Sequence, residues 1–558
     1  MKLHNKIKLK LFCLLIMLNT ILRFQVISNE IGVDSFLVHM KTNSISEFGY
    51  AEWVLHPASF LGMYAYSDVS AVPFFLSGIC QSTDVEMRWV IFLYCILLGI
   101  LSIFTAYLMA GAIIGNDRFK FLAAFAFSTS PAVLGYSTWT IPARGLFVVL
   151  APLLIYMVIE SRRYNRHIPL VIFFAVFLYA THHLIYFLLP IFFVFFVLLV
   201  TLRIKSRIKS INIPLRRFAP STTVSKFTTI DKNDQVGTGL KNNLVAALEE
   251  IIKLIAHAAK VRTTLYLLIP LVGFVIMFSV PFIGRKFVEC SVYDPMYRGY
   301  VRYIGLLIVI AVGGLVHTIF KRGKSFEEWF LLMSVICLTA FIYEVTYMKW
   351  FIPIFAVLLT GIGLLNILRS ERKKCALPIV FIFLLMSTTF SGYYQFLHFS
   401  PTHGTNERYM EDSTYIAGKW MKEYVTGSAI SNDRFFGTRI GAASETTHHL
   451  VMYTLLASTY GFVTTNLSQF EWYPITSEDF WFDVGKVKRD MGEKIWDDLN
   501  TMDTKPNRFN ITCFAENVRA RGNVVWHHGI YPSKLLHLAY DERGCVYDCG
   551  KVRVWDLK

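Results

Sequence analysis

RWVIFLYCILLGILSIFTAYLMAGAII, residues 88–114, decides the fold class of this chain. After Arg88 the stretch has no charged side chain, and it is longer than the roughly 20 apolar residues that an α-helix needs to cross a bilayer. Because hydrocarbon offers no water to backbone polar groups, such a run crosses it as a helix. The stretch therefore predicts an integral membrane protein.

The rest of the sequence contains further runs of this kind. Hydrophobic residues make up 54% of the 558 residues and charged residues only 17%; the mean hydropathy is +0.46, more apolar than in ordinary soluble proteins. The first run contains Asn19 and Arg23 and has no small-residue cleavage site after it, so we interpret it as a retained helix rather than a signal peptide. We predict about eleven transmembrane helices, near residues 9–27, 88–114, 119–137, 141–160, 168–182, 184–203, 263–283, 301–320, 328–346, 349–368 and 376–397.

The basic residues predict which side of the membrane each loop occupies. The net charge is +16, but lysine and arginine fall in short clusters between apolar runs, without the basic, aromatic-interleaved stripe that binds nucleic acid. If the N-terminus is cytoplasmic, every loop on its side is basic, whereas the first loop on the other side is mainly acidic. We therefore predict a cytoplasmic N-terminus, an extracytoplasmic C-terminal segment and no nucleic-acid partner.

The chain divides into two predicted domains. Residues 1–398 form a transmembrane domain, with a first extracytoplasmic loop at 28–87 and a basic cytoplasmic insertion at 204–262 that fits either a helix on the membrane surface or a disordered linker. The sequence of residues 399–558 predicts an extracytoplasmic soluble α/β domain. In it, YIAGKWMKEYV predicts an amphipathic helix, GSAIS a strand and CVYDCGKVRVWDLK a closing hairpin. Cys513 is compatible with a disulfide to Cys545 or Cys549, and a zinc site fits these cysteines less well.

The first extracytoplasmic loop has the densest set of titratable and aromatic side chains, in GVDSFLVHMKTNSISEFGYAEWVLHPASFLGMYAYSDVSAVPFF, residues 32–75. Its aromatic residues also suit anchoring at a bilayer surface, and its apolar segment 71–80 is too short to span and could re-enter the membrane. Asp34 is harder to explain as an anchor. A carboxylate just beyond a helix end can act as a general base, and nearby hydrocarbon raises its pKa toward a useful range.

In the order of these features, the chain resembles the GT-C superfamily of membrane glycosyltransferases. That family has a long first outside loop with a catalytic acid soon after the first helix, many spans and often an outside C-terminal domain. The resemblance covers the whole layout, but its only local motif is the acid of GVDSF. It implies transfer of a sugar from a polyprenyl-phosphate carrier such as dolichyl phosphate, with Asp34 as the catalytic base. The alternative for Asp34 is a helix cap or a loop contact.

Two departures from the family pattern narrow this expectation. Many members carry a second acid in the next outside loop, but GYSTWTIPARG has none, which weakens the case for a metal-bridged site; Mg²⁺ or Mn²⁺ stays a possible cofactor. Arg144 lies there instead and suits a lipid phosphate, or it is a snorkelling interfacial arginine. The WWDYG motif of oligosaccharyltransferases is absent, since SNDRFFG occupies its place. We therefore expect a prokaryotic or archaeal type of transferase that uses monosaccharide-phosphate lipids, rather than protein N-glycosylation.

Further residues on the predicted outer side are candidates for substrate binding. Acids and histidines suit sugar hydroxyls or phosphate, and cations suit the phosphate, although buried histidines also have purely structural roles. His39 is secondary, because five positions along a helix it points about 140° away from Asp34. The substrate-binding candidates are Glu47, Glu52, His56, Arg144, His182, His183, Arg298 and Lys349.

These observations predict a membrane glycosyltransferase whose partners are a polyprenyl-phosphate-linked sugar donor, a glycan, lipid or protein acceptor, and membrane lipid. A transporter or lipid flippase is the first alternative, but it favours polar or broken helices at mid-membrane, whereas these spans are mostly uninterrupted. The second alternative is a non-catalytic envelope protein. No phosphate-binding loop, dinucleotide-binding glycine motif, HExxH or GxSxG is present.

Overall fold

The computed structural model describes residues 3–24, 29–48, 71–217, 300, 302–339, 345–369, 373–399, 409–426, 428–431, 434–444, 511–518 and 544–556. The membrane part contains the helices α1 (Asn5–Arg23), α2 (Val33–Phe48), α3 (Ala71–Thr83), α4 (Met87–Ile113), α5 (Asp117–Ser128), α6 (Pro131–Leu134), α7 (Ala143–Ser161), α8 (His167–Thr181), α9 (Leu189–Arg217), α10 (Ile308–Phe320), α11 (Phe326–Thr339), α12 (Val345–Arg369) and α13 (Lys373–Phe399). The C-terminal part contains α14 (Asp412–Tyr424), β1 (Ser428–Ser431), α15 (Arg434–Ser444), β2 (Ile511–Asn517), β3 (Cys545–Asp548) and β4 (Val552–Asp556).

Within the described ranges, five helices are long and apolar enough to cross a membrane: Met87–Ile113, Ala143–Ser161, Arg302–Phe320, Trp350–Arg369 and Cys375–Tyr393. In α4 one face is buried, with Tyr94 and Leu98 inside, while Trp89 and Leu93 are exposed on the other. An apolar face exposed along a long helix is the surface that lipid covers. The chain is therefore an integral membrane protein. The predicted total of about eleven spans stays a prediction, and the span at 263–283 lies outside the described residues.

Two predicted spans differ from the helices that form. The run 119–137 is not continuous, because α5 ends at Ser128 and the short α6 begins at Pro131. Proline is favoured at the first position of a helix, where its missing N–H is not needed, and the Ser130 hydroxyl caps α6 by accepting from the Val133 amide. The run 184–203 begins as a 3-10 helix at His183–Leu188. Its α-helix then starts at Leu189 and continues to Arg217, into the basic segment.

The break after Ser128 supplies hydrogen-bond acceptors to Arg23, which is fully buried. The Arg23 guanidinium donates to the Ser137 hydroxyl, the Ser128 carbonyl and the Asn19 side chain. It lies against Gly99 of α4, where an added Cβ would come within 2.6 Å of Arg23 Nε. Because a charged group at membrane depth is costly without partners, this network explains how α1 tolerates Asn19 and Arg23.

The other end of α1 is fixed by Asp117, at the start of α5. Its carboxylate contacts Lys8 Nζ at 2.9 Å and Lys120 Nζ at 3.2 Å, and it accepts from the Leu3 amide at 2.8 Å. Burial alone would raise the pKa of this carboxyl, but the Lys8, Leu3 and Lys120 contacts outweigh burial and lower the pKa to about 2. Asp117 is thus ionised at neutral pH and joins α1 to α5.

The C-terminal elements predicted from sequence are present. The helix α14, the strand β1 and the hairpin β3–β4 occupy the predicted places, and the sheet order is β1-β2-β4-β3. β1 is parallel to β2, and the other pairs are antiparallel. Met421 and Phe436 pack on the sheet with Cys513. Cys513 is buried whereas Cys545 and Cys549 are exposed, and no disulfide joins Cys513 to either of them.

The chain forms two compact units. The first comprises Met1–Leu188, Gly299–Arg322 and Lys349–Lys558, and the second comprises Leu189–Arg298 and Gly323–Met348. Within the first, α15 packs on α2, where Phe36 and Met40 contact Ala442 and Ala443. Within the second, Phe195 of α9 packs against Phe330 of α11. The C-terminal sheet therefore belongs to the same unit as the helices α1–α8.

The Asp117 contacts predict a pH-dependent contribution to stability. Asp117→Asn removes a charged hydrogen-bond partner and should lower the free energy of unfolding by about 1–3 kcal/mol. Because the folded pKa lies below the usual value of 3.8, this contribution is complete above about pH 4 and is lost as pH falls toward 2. The unfolding midpoints of the detergent-solubilised wild-type and variant proteins should therefore converge between pH 4 and pH 2. A constant difference across that range contradicts the assignment.

Candidate active site

Asp34 and Arg144, two residues predicted separately from sequence, form an ion pair. Asp34 lies in the first turn of α2 and Arg144 in the first turn of α7. An Arg144 Nη2 donates to Asp34 Oδ2, and the two side chains remain 24% and 45% exposed for Arg144 and Asp34. The pair is therefore positioned by two helix starts and stays accessible to another molecule.

Aromatic rings lie beside this pair. The Arg144 guanidinium carbon is 5.8 Å from the centroid of the Tyr136 ring, a cation–π distance. The Tyr136 ring centroid is 3.9 Å from that of Trp350, which is 4.9 Å from that of Tyr303. Lys349 directly precedes Trp350 in α12. The backbone of a second predicted cation thus lies next to the ring cluster that contacts Arg144.

His182 also lies near the start of α7. It ends α8, and its ring centroid is 6.5 Å from that of Phe147, which lies one turn after Arg144. The Leu184 amide donates to His182 Nδ1 at 3.1 Å. In the neutral ring this bond places the proton on Nε2, which makes that nitrogen the donor for other groups. The role of His182 in substrate binding stays a prediction.

The loop before α7 approaches the start of α2 closely. The Ile31 amide donates to the Trp139 carbonyl at 2.8 Å, and Trp139 is buried with its ring stacked on Phe92 at 5.3 Å. Trp139 has a φ of 53°, a left-handed conformation that bulky residues rarely adopt. Gly32 opposite has a φ of 99° and lies against the Thr140 side chain. These two residues turn the chain so that Asp34 and Arg144 meet.

Glu30 was not predicted as a site residue, but its carboxylate contacts Ser35, the residue after Asp34, and His39. Glu30 is buried; its carboxylate accepts from the Ser35 hydroxyl at 3.1 Å and contacts His39 Nδ1 at 2.6 Å. The Ser35 oxygen in turn accepts from the Ile141 amide at 3.0 Å. His39 therefore turns away from Asp34, as helical spacing predicted. The available signal was an acid placed so that a helix would bring a serine and a histidine toward it.

The remaining predicted site residues are described in part or not at all. Glu47 lies near the end of α2, His183 begins the 3-10 helix and Lys349 lies in α12, but their side chains are outside the described residues. Glu52, His56 and Arg298 are outside them entirely. In the part of the chain that is described, no three His, Cys, Asp or Glu residues group as metal ligands would.

Comparison with known proteins identifies the fold. No protein-family model and no curated protein sequence matches the chain. The apo oligosaccharyltransferase of Archaeoglobus fulgidus matches with a TM-score of 0.54 at 13% identity, over 92% of this chain and 70% of that chain. The same enzyme, AglB, in complex with an inhibitory peptide and a dolichol-phosphate matches with a TM-score of 0.51 at 12% identity, over 92% and 69%.

A second protein matches along almost the whole length of both chains. ArnT from Cupriavidus metallidurans, bound to undecaprenyl phosphate, has a TM-score of 0.51 at 11% identity, over 99% of this chain and 98% of that chain. AglB and ArnT are both GT-C membrane glycosyltransferases that use polyprenyl-phosphate carriers. The structure thus confirms the fold that the order of features in the sequence resembles.

The close approach of α7 to the preceding loop predicts a sensitive position at Gly145, directly after Arg144. A Cβ there would lie 2.5 Å from the Tyr136 carbonyl oxygen, a contact that the backbone must move to relieve. Gly145→Ala should lower the free energy of unfolding by about 1–3 kcal/mol, measured as a lower unfolding midpoint in detergent.

The matched control is Gly313→Ala in α10, where nothing lies within 4 Å of the added Cβ. Because alanine favours a helix interior over glycine, this variant should gain roughly 0.5–1 kcal/mol. If Gly145→Ala is as stable as Gly313→Ala, the approach of α7 to Tyr136 is not as close as described.

Proposed function

We propose that this chain, which has the GT-C fold, is a glycosyltransferase that moves a sugar from a polyprenyl-phosphate carrier to an extracytoplasmic acceptor with inversion. The observation that carries the proposal is the accessible pair of Asp34 and Arg144. It combines a carboxylate able to take a proton with a guanidinium able to bind phosphate. AglB bound to a dolichol-phosphate and ArnT bound to undecaprenyl phosphate support a lipid phosphate as the donor group.

The reaction is a single displacement at the anomeric carbon of the sugar. Asp34 accepts the proton of an acceptor hydroxyl as its oxygen attacks that carbon. The bond from the anomeric carbon to the phosphate oxygen breaks, and the lipid phosphate leaves with the electron pair. Arg144 stabilises the charge that develops on this leaving group. Attack opposite to the departing phosphate inverts the anomeric configuration.

Asp34 and Arg144 also link donor binding to activation of the base. In the structure the Arg144 guanidinium is hydrogen-bonded to the Asp34 carboxylate. A lipid phosphate that takes over Arg144 replaces this anion and leaves the Asp34 oxygen atoms to the acceptor hydroxyl. Because both side chains are partly exposed, the exchange costs little, in line with the roughly 0–1 kcal/mol of an exposed ion pair.

The donor we propose is a monosaccharide-phosphate lipid. The WWDYG motif of oligosaccharyltransferases is absent from the sequence, and the likeness to ArnT extends over 98% of that chain against 69% of AglB. Hexose and pentose donors both fit this chemistry. The proposed binding residues besides Arg144 are Glu47, Glu52, His56, His182, His183, Arg298 and Lys349.

The C-terminal segment 399–558 is the proposed acceptor-binding domain. Its helix α15 packs on α2, whose first turn contains Asp34. A glycan, a lipid or a protein held by this segment would therefore lie close to Asp34.

Asp34→Asn tests the catalytic assignment. We expect the turnover number to fall by roughly 10²–10⁴, the usual contribution of a general base, with little change in the KM of the donor. The protein is reconstituted in nanodiscs with dolichyl or undecaprenyl phosphate carrying radiolabelled glucose, mannose or a pentose, and with envelope fractions from a host lacking the gene. Released lipid phosphate and transferred label are measured.

The matched control is Asp84→Asn, at an exposed residue between α3 and α4. Its φ of 54° is one that asparagine adopts readily, so this variant should react as the wild type does. If Asp34→Asn transfers the sugar at the wild-type rate, Asp34 is not the general base. Movement of intact donor across the bilayer without cleavage would instead favour a flippase.

Arg144→Gln tests the phosphate assignment. Loss of the cation should weaken the binding of dolichyl phosphate and undecaprenyl phosphate by about tenfold or more, since hydrogen bonds to charged groups contribute about 1.5–3 kcal/mol. Native mass spectrometry of the purified protein measures both affinities. Arg144→Lys should be intermediate, and Arg88→Gln in the first turn of α4 is the matched control. Equal binding by Arg144→Gln and wild type would exclude Arg144 as the phosphate ligand.

A further inference from the structure

The structure assigns to Glu30 and Ser35 a positioning role: their buried hydrogen bonds fix Asp34 relative to Arg144 so that the two act on one substrate. This inference rests on the proposed function, because the pair is the reacting site in it. Neither Glu30 nor Ser35 takes part in the proposed chemistry. Both act through the residues that follow them in the chain.

The bridge runs from α2 to the loop before α7 through one hydroxyl group. The Ser35 Oγ donates to Glu30 and accepts from the Ile141 amide. Ser35 directly follows Asp34, and Ile141 lies three residues before Arg144. The bridge therefore connects the two helix starts without using the atoms of the ion pair itself.

Burial makes this bridge stronger than the pair that it supports. Ser35 is fully buried and Glu30 is 4% exposed, whereas Asp34 and Arg144 are exposed by 45% and 24%. An exposed ion pair contributes roughly 0–1 kcal/mol, too little to fix the geometry of two helices. Loss of a partner for a buried polar group costs about 1–3 kcal/mol, and more when the group is charged.

Glu30 is held in one orientation from two further directions. Its second carboxylate oxygen contacts His39 Nδ1 at 2.6 Å, one helical turn beyond Ser35. Its backbone carbonyl accepts from the Met410 amide at 3.4 Å. With both carboxylate oxygens engaged, one of them stays directed at Ser35, so Glu30 sets where the Ser35 hydroxyl, and with it Ile141, must lie.

The consequence for catalysis is a loss of alignment when the bridge is cut. A displacement of about 1 Å at a reacting group can lower the rate by about 10²-fold. Ser35→Ala should therefore lower the turnover number for the donor by about 10- to 100-fold while the KM of the donor stays nearly the same. The assay is the nanodisc transfer reaction described above.

The matched control for a purely structural effect is Thr42→Val. Thr42 is a fully buried residue of the same helix, but its hydroxyl donates to the Val38 carbonyl within α2. It removes a buried hydroxyl without cutting the bridge, so its turnover number should stay at the wild-type value. A Thr42→Val variant as slow as Ser35→Ala would overturn the inference.

A second pair of variants separates hydrogen bonding from charge. Glu30→Gln keeps an oxygen that can accept from Ser35, and its amide can donate to a neutral His39 ring. Glu30→Ala removes both partners. Turnover should fall in Glu30→Ala and be largely restored in Glu30→Gln. If Glu30→Gln is as slow as Glu30→Ala, the hydrogen bond to Ser35 is not what Glu30 provides.

A chemical measurement tests the bridge without any sugar donor. Phenylglyoxal modifies arginine side chains that are not engaged, and mass spectrometry of the peptide containing Arg144 gives the rate. Asp34→Asn removes the carboxylate that pairs with Arg144. Its modification rate therefore serves as the reference for an Arg144 without the ion pair. Ser35→Ala should accelerate modification several-fold toward that rate, and Thr42→Val should not.

These outcomes distinguish the two proposals. If the wild-type protein neither releases lipid phosphate nor transfers label, the proposed function fails, whereas faster modification of Arg144 in Ser35→Ala still supports the positioning role. If Asp34→Asn loses activity but Ser35→Ala is modified and turns over at wild-type rates, the positioning role is wrong and the proposed function stands.

Discussion

The buried guanidinium of Arg23 is the constraint on which much of this structure depends. Hydrocarbon provides no water to a charged group, so every N–H of Arg23 must find an acceptor inside the protein. Those acceptors are neutral oxygen atoms of Asn19, Ser128 and Ser137. An unbroken helix through Ser128 would engage its carbonyl within the helix itself. The break after α5 therefore satisfies Arg23, and it also begins the loop that leads to Trp139 and the start of α7.

In the candidate site, the groups proposed for the chemistry are partly exposed and the groups that position them are buried. Asp34 and Arg144, the groups that carry the proposed chemistry, are partly exposed, which contact with a lipid phosphate and an acceptor would require. The groups that position them are buried, where hydrogen bonds cannot be exchanged with water and have defined directions. Trp139 and Gly32, which both have a positive φ, turn the chain so that the starts of α2 and α7 meet. A catalytic pair of this kind combines access to substrate with a fixed geometry.

The sequence predicted what depends on local pattern. Long apolar runs indicated the membrane helices, the charge pattern placed Asp34 at the head of a polar loop, and helical spacing indicated that His39 turns away from it. The break at Ser128 was missed, although Ser130 and Pro131 are a local signal for a new helix start, because the apolar residues on both sides together have the length of one span. The hydrogen-bond bridge through Glu30 and Ser35 was not predicted, because it depends on a contact between residues distant in sequence. Ser35 and its partner Ile141 are 106 residues apart. The cysteines were misjudged because spacing alone does not show that β2 buries one of them.

The contact between the start of α2 and the C-terminal segment has a consequence for biosynthesis. The Asn29 side chain donates to the Met410 carbonyl, a partner 381 residues later in the chain, and Ile31 pairs with Tyr409. A ribosome must therefore make nearly three quarters of the protein before the residues leading into Asp34 can take their final place. An unfinished or truncated chain inserted in the membrane would have its helices but not an aligned acid and arginine. In the proposed function, completion of the polypeptide would therefore precede the onset of transferase activity.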